Sequence, residues 1–218
     1  SMAYSDTDWL DEISRTGFAQ TYDLSLSHAT DKHSTMFSLG YKKNNGILNY
    51  TSFENLSARM NSSYNINKYI SVGENFTLTY SKQVDCAPME NALKMAPTIP
   101  VYEEDGVTFA GPVGGMSDRQ NPVREQYDNR NNHLDYWRLF GNAYVEIKPI
   151  KGLTLRSNFG LDTYLSFINS MTPTFHSDIV NNDIAKTNLS HRNQVNWTWS
   201  NTANYNFKVA DKHDITVL

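Results

Sequence analysis

Five aromatic side chains stand in or at the rim of a long irregular stretch of the sequence: Tyr102, Phe109, Tyr127, Tyr136 and Trp137. Sugar faces stack on aromatic rings and neighbouring amides hydrogen-bond hydroxyl groups, so these five are the candidate ligand contacts. The competing role for each is packing of the loop itself. Other groups able to do chemistry lack the company they need. The run Glu103-Glu104-Asp105-Gly106 offers oxygen ligands to a hard cation, but without the spaced pattern of a calcium loop it reads as an acidic turn tip. The histidines (His28, His33, His133, His176, His191, His213) show no metal-ligand spacing. Cys86 is a lone thiol with neither a base nor an orienting group nearby in sequence, which leaves it without the partners of a nucleophile. Fingerprints for a serine nucleophile elbow, a phosphate loop or a dinucleotide are absent from the sequence. The expectation is a non-enzyme with no catalytic, cofactor-binding or metal-ligating residues.

The composition says what kind of scaffold must position those aromatics. The chain has 218 residues, 19 Lys+Arg against 23 Asp+Glu, and one cysteine. A net charge of −4 leaves no electrostatic footprint for nucleic acid, and one cysteine excludes a disulfide framework. Mean hydropathy is −0.56, and no apolar run is long enough for a transmembrane helix. Transmembrane strands escape that test, because they carry apolar residues only at every second position. Charged residues are 19%, low for a soluble domain, while Asn, Ser and Thr together reach about 28% and aromatics 12%. Such a chain suits strands with one amide- and hydroxyl-rich face and one apolar face.

The period supports this. Thr7–Ile13 can form a short helical turn capped by Asp6 or Thr7; after Gly17 the hydrophobic period becomes two. Tyr22, Leu24 and Leu26 alternate with Asp23 and Ser25, and Phe37, Leu39 and Tyr41 alternate with Ser38 and Gly40, leading into the turn signal Asn45-Gly46. Further alternating runs cover 56–66, 72–80, 137–147, 153–167 and 195–209, and another begins at Asp214. The connections alternate between short turns (67–70, 149–152, 210–213) and long loops (82–133, 169–187). Tyr64, Tyr69, Tyr144, Tyr205 and Phe207 cluster near the short turns, where an interfacial girdle would place them. The predicted fold is all-β: an antiparallel meander of about 7–8 long strands. Its asymmetric connections are those expected of an outer-membrane β-barrel larger than this stretch, with long outer loops; the alternative is a soluble all-β carbohydrate-binding module.

Several segments carry a family resemblance. Thr7-Asp8-Trp9-Leu10-Asp11-Glu12-Ile13 followed by Tyr22-Asp23-Leu24-Ser25-Leu26-Ser27 resembles the junction that precedes and begins the barrel in SusC/RagA-type TonB-dependent transporters of Bacteroidetes. Phe37-Ser38-Leu39-Gly40-Tyr41 with Asn45-Gly46-Ile47 resembles the next strand and turn of that family. Ala96-Pro97-Thr98-Ile99-Pro100-Val101-Tyr102 with Asp105-Gly106 resembles its first long loop, and His213-Asp214-Ile215-Thr216-Val217-Leu218 is similar to a later strand start. His28 and His33 depart from the pattern at the first turn.

The resemblance implies a location in the cell outer membrane and a barrel of about 22 strands. It implies a plug and TonB, which would engage a part lying upstream, together with a SusD-like surface lipoprotein and an oligosaccharide or peptide as cargo. Membrane lipid is the other expected partner, and nucleic acid is not one. The expected organisation is an expression scar at 1–3, a plug-to-barrel junction at 4–17, and the first barrel strands at 18–218. A piece of a barrel this short leaves two open sheet edges, so it is expected not to transport by itself.

Overall fold

The computed structural model describes residues 5–112, 114–115, 118–177, 179–209 and 213–218. The expected scar at 1–3, Tyr4 of the expected junction and the turn at 210–212 lie outside these residues.

Alternation produces what it predicts. Among the described residues ten strands form: β1 (Phe18–Ala29), β2 (His33–Asn45), β3 (Ser52–Asn65), β4 (Ile70–Val84), β5 (His133–Ile147), β6 (Leu153–Thr172), β7 (Phe175–Ser177), β8 (Val180–Asn182), β9 (Lys186–Val209) and β10 (His213–Val217). Eight of them make one antiparallel sheet in the order β1-β2-β3-β4-β5-β6-β9-β10, while β7 and β8 pair only with each other as a small hairpin. The helices are short: α1 (Trp9–Glu12), α2 (Met89–Lys94) and α3 (Pro122–Asn129).

The structure refines the expected boundaries. β4 runs to Val84 and β5 begins at His133, so the first long loop is shorter than expected at both ends. The second irregular stretch holds the β7–β8 hairpin, with β6 reaching Thr172 and β9 starting at Lys186. The N-cap of α1 is Asp8, not Asp6 or Thr7; its carboxylate accepts from Leu10 N and Asp11 N, both at 3.1 Å. Register is continuous through the two atypical histidines, with His28 opposite Thr35 and His33 opposite Tyr64.

In-register rows divide the sheet into two faces. One row runs Leu24, Leu39, Ala58, Leu78, Leu139, Thr163, Val195, and the next runs Leu26, Phe37, Met60, Phe76, Gly141, Leu161, Trp197. Among the described residues none covers this apolar face: Leu24 is 57% exposed, Leu26 61% and Trp199 66%. On the loop side it is bordered by an aromatic row, Tyr22, Tyr41, Leu56, Tyr80, Trp137, and then by a charged row, Lys43, Glu54, Lys82, Asp135. The apolar stretch slides across the sheet, from 22–26 on β1 to 195–209 on β9, a displacement that strands tilted against a flat apolar slab would need. The opposite face is polar. There Arg138 makes a two-pronged contact with Asp162 at 2.8 Å, and Asn142 donates to Asn158. Tyr144 belongs to this polar face, over Gly73 and under the Arg156 guanidinium, and so is not part of an outer girdle.

The two ends of the sheet differ. Connections 30–32, 66–69 and 148–152 are tight turns at one end. Asn67 closes one by accepting from Tyr69 N and Ile70 N, and Gly152, with φ of +85°, closes another. Connections 46–51, 85–132 and 173–185 lie at the other end. The 46–51 connection is short but on the loop side, as the order of connections requires. Residues 5–17 also sit at the loop end, where Arg15 N donates to Ile47 O and Thr7 N to Pro97 O. The buried hydrophobic cluster is here rather than on the sheet: Trp9, Ile13, Ala92, Met95, Ile99 and Ala110, flanked by Leu48, Ala96, Val101 and Val123.

Candidate functional site

That cluster builds a cap at the loop end, and polar pins hold it in shape. Trp9 packs inside and its indole N–H donates to Ala96 O at 3.1 Å. Asn121, fully buried, caps α3 by accepting from Val123 N and Arg124 N. Its amide nitrogen donates to Val101 O and Ala110 O, tying α3 to the 101–110 hairpin. Gln126, also fully buried, donates to Ile13 O and Cys86 O, tying α3 to the N-terminal segment and the end of β4. Asn121 followed by Pro122 is an N-cap with proline at the first helical position, the signal that locates α3 in the sequence.

The 101–110 hairpin displays three of the five expected aromatics. Val101 and Ala110 pair through Ala110 N to Val101 O, which sets Tyr102 opposite Phe109 with ring centroids 5.1 Å apart. Phe109 then meets Tyr127 of α3 at 5.7 Å, and the Arg130 guanidinium lies 3.6 Å from the centre of the Tyr127 ring. The result is an aromatic ladder ending in a cation, with Tyr102 42% and Tyr127 43% exposed. The sequence reading did not single out Arg130; its signal is the three-residue spacing from Tyr127, which places the two side by side once α3 forms.

The other two candidates do not join the ladder. They are consecutive on β5 and therefore point to opposite faces. Tyr136 stands on the polar face beside Tyr164 at 5.5 Å, and Trp137 on the apolar face against Tyr80 at 4.6 Å. A shallow recess of about 580 Å³ on the wall, with Arg156, Asn158, Asp162 and Asn196 among its lining, is separate from the cap.

The acidic tip has a structural task. Asp105 accepts from Val107 N, Thr108 N and the Thr108 hydroxyl, and those bonds hold its carboxyl below the usual carboxylate range. Its oxygens are thus engaged by its own turn. Burial pushes the Cys86 thiol up to about 11, helped by the Asp85 and Glu125 carboxylates, so it is a poor nucleophile. Arg124 is 3% exposed and stacks on the Phe175 ring at 3.3 Å, which joins α3 to the β7–β8 hairpin. Its burial lowers its pKa and that of Asp128 is raised for the same reason, the pair being 3.8 Å apart.

The arrangement offers stacking surfaces, hydroxyls, amides and a guanidinium on a rigid cap above a two-faced sheet. Such groups can contact a polar ligand by stacking and hydrogen bonding.

No family model matches the chain. In sequence it is 26% identical to TonB-dependent receptor P26 of Formosa agariphila over 226 residues, covering 99% of this chain and 22% of that protein. It is 24% identical to TonB-dependent receptor P39 of the same organism, covering 97% of this chain and 20% of that protein. In structure it is similar to a RagAB peptide transporter, with a TM-score of 0.80 and 23% identity over 98% of this chain and 25% of that one. The open-open state of the RagAB peptide importer gives a TM-score of 0.79 at 23% identity, over 97% of this chain and 24% of that one. The chain therefore spans about a fifth of the length of the curated relatives it matches. Over nearly its whole length it is similar in sequence to TonB-dependent receptors, and it has the all-β fold of a section of a SusC/RagA-type TonB-dependent barrel.

Proposed function

We propose that this chain forms part of the wall and outer cap of a TonB-dependent importer in the cell outer membrane, carrying an oligosaccharide or a peptide. The observation that carries the reading is the uncovered apolar face, bordered by the aromatic and charged rows and backed by a polar face. In a barrel the first faces lipid and the second the lumen. Likeness to a RagAB peptide transporter favours a peptide as cargo. A soluble carbohydrate-binding module would have to bury that apolar face against a second layer, which the sheet lacks among the described residues.

In this reading residues 18–218 supply barrel strands and loops, residues 5–17 pack into the outer cap, and a SusD-like lipoprotein closes over it. TonB acts through a part of the protein outside this chain. The ladder Tyr102, Phe109, Tyr127 with Arg130 is the proposed cargo contact, with Tyr136 at the lumen rim and Trp137 an outer anchor rather than a ligand contact. Isolated, the sheet keeps open edges and does not transport.

The test is site-directed fluorescence on the protein in vesicles. A fluorophore on Leu78→Cys is expected to be quenched by lipids brominated on their acyl chains, and one on Asn75→Cys, on the polar face, to be quenched weakly. Equal quenching at both positions, or none, refutes the wall reading. For cargo, Tyr102→Ala and Tyr127→Ala are each expected to weaken binding about tenfold.

A further inference from the structure

We infer that the apolar face of the sheet carries a site for one phospholipid with a primary-ammonium headgroup, of the phosphatidylethanolamine class, held by Glu74. The inference rests on the wall reading above. Among the described residues, Glu74 is the one carboxylate or ammonium group on the apolar face between the charged row at Lys82 and the tight turns. It stands on β4 between Val72 and Phe76, with Ser62 on one side and Ala143 on the other. Ser62 donates its hydroxyl to one Glu74 oxygen. An ionisable group on a lipid-facing surface is costly unless it has a partner.

Beside Glu74 the face is indented. A groove of about 380 Å³ is lined there by Val72, Glu74, Ala143, Val145, Ser157 and Phe159. Ala143 forms its floor, since its small side chain lies between Glu74 and Phe159 in one in-register row. The groove is thus mainly apolar, with the Ser157 hydroxyl engaged by the Trp199 indole N–H, and anionic on one wall, which matches an acyl chain joined to a cationic head.

Depth selects the headgroup. From Lys82 to Glu74 the strand covers about 27 Å, or about 20 Å of height at a tilt of about 40°. With an apolar band about 25 Å tall, Glu74 falls about 5 Å inside the boundary on the tight-turn side, within reach of a headgroup that dips to meet it. A primary ammonium can donate hydrogen bonds to the carboxylate, whereas a quaternary choline cannot. A second copy of the chain fits less well, because a two-fold contact centred on this groove would bring Glu74 against its own counterpart.

The experiment extracts the full-length barrel protein from vesicles of phosphatidylethanolamine, phosphatidylcholine and phosphatidylglycerol in equal parts and identifies the retained lipid by mass spectrometry. The expected result is phosphatidylethanolamine enriched about tenfold over phosphatidylcholine. Glu74→Gln should remove the enrichment. Ala143→Leu, which fills the groove and keeps the carboxylate, should remove it too. Equal retention of the lipids by the unaltered protein, or enrichment that survives both substitutions, overturns the site. Quenching of the Leu78→Cys fluorophore, run on the same preparation, separates this failure from failure of the wall reading.

Discussion

Asn121 shows how much one side chain does in this protein. It satisfies two helix-end N–H groups and two carbonyls of another segment while fully buried. Asn121→Ala removes the cap and strands Val101 O and Ala110 O, an expected loss of about 3 kcal/mol from the cap. Limited proteolysis within 85–132 should accelerate while the sheet persists. Cys86 gives a pH prediction. Its thiol is raised to about 11 in the folded chain, against an ordinary value of about 8.5 unfolded. The folded state therefore holds the proton more tightly: this stabilisation is complete below about pH 8.5 and is lost as pH rises through about 11. Maleimide labelling at pH 8 should be more than about a hundredfold slower in the folded chain than in denaturant. Asn121-Pro122 signals a helix start in the sequence, but the burial of Cys86 and the bonds from Asn121 to the 101–110 hairpin do not follow from spacing.

At the scale of elements, strands were legible and helices less so. Alternation marks each long strand because every second side chain meets the same surroundings. It did not mark β7 and β8, which are three residues each and too short to show a period. The turns add a second kind of local information. Gly152 has φ of +85°, and a Cβ there would stand 2.1 Å from Asn206 O. Gly152→Val is expected to cost at least about 2 kcal/mol, combining left-handed strain with that clash. Slower folding into micelles, followed by circular dichroism, would register it, while Lys151→Ala in the same turn should fold as the unaltered chain does. The aromatic ladder is also an element-scale product: two of its rings face each other across one hairpin, and the third arrives on α3.

For the whole molecule the two faces are the controlling feature. Leu78 and Leu139 are partners in the middle of the apolar face, and Asn75 lies opposite Asn142 on the polar one. In lipid, Leu78→Arg is expected to cost about 2–4 kcal/mol, and Asn75→Arg on the same strand close to nothing. Heat-modifiable migration after folding into vesicles would separate them, and a similar effect of both would contradict the assignment of faces. The same reasoning explains where the core is. In the proposed wall, with lipid on one side and water on the other, the sheet would need no second layer, which fits the tightly packed apolar cluster of the described residues lying in the cap.

The sequence by itself determined the long strands, their two faces and the turns at 67–70 and 149–152, because each is written in neighbours one to four residues apart. The tertiary structure alone decided that residues 5–17 close against 85–132, through Thr7 N to Pro97 O and Gln126 to Ile13 O. It also decided that the Tyr102–Phe109 pair of one hairpin meets Tyr127 of α3, whose helical neighbour Arg130 extends the ladder. Contacts between segments so far apart along the chain have no period to announce them. They depend on closing long loops and burying a small shared core, and that balance exists only once the sheet has set the loop ends side by side.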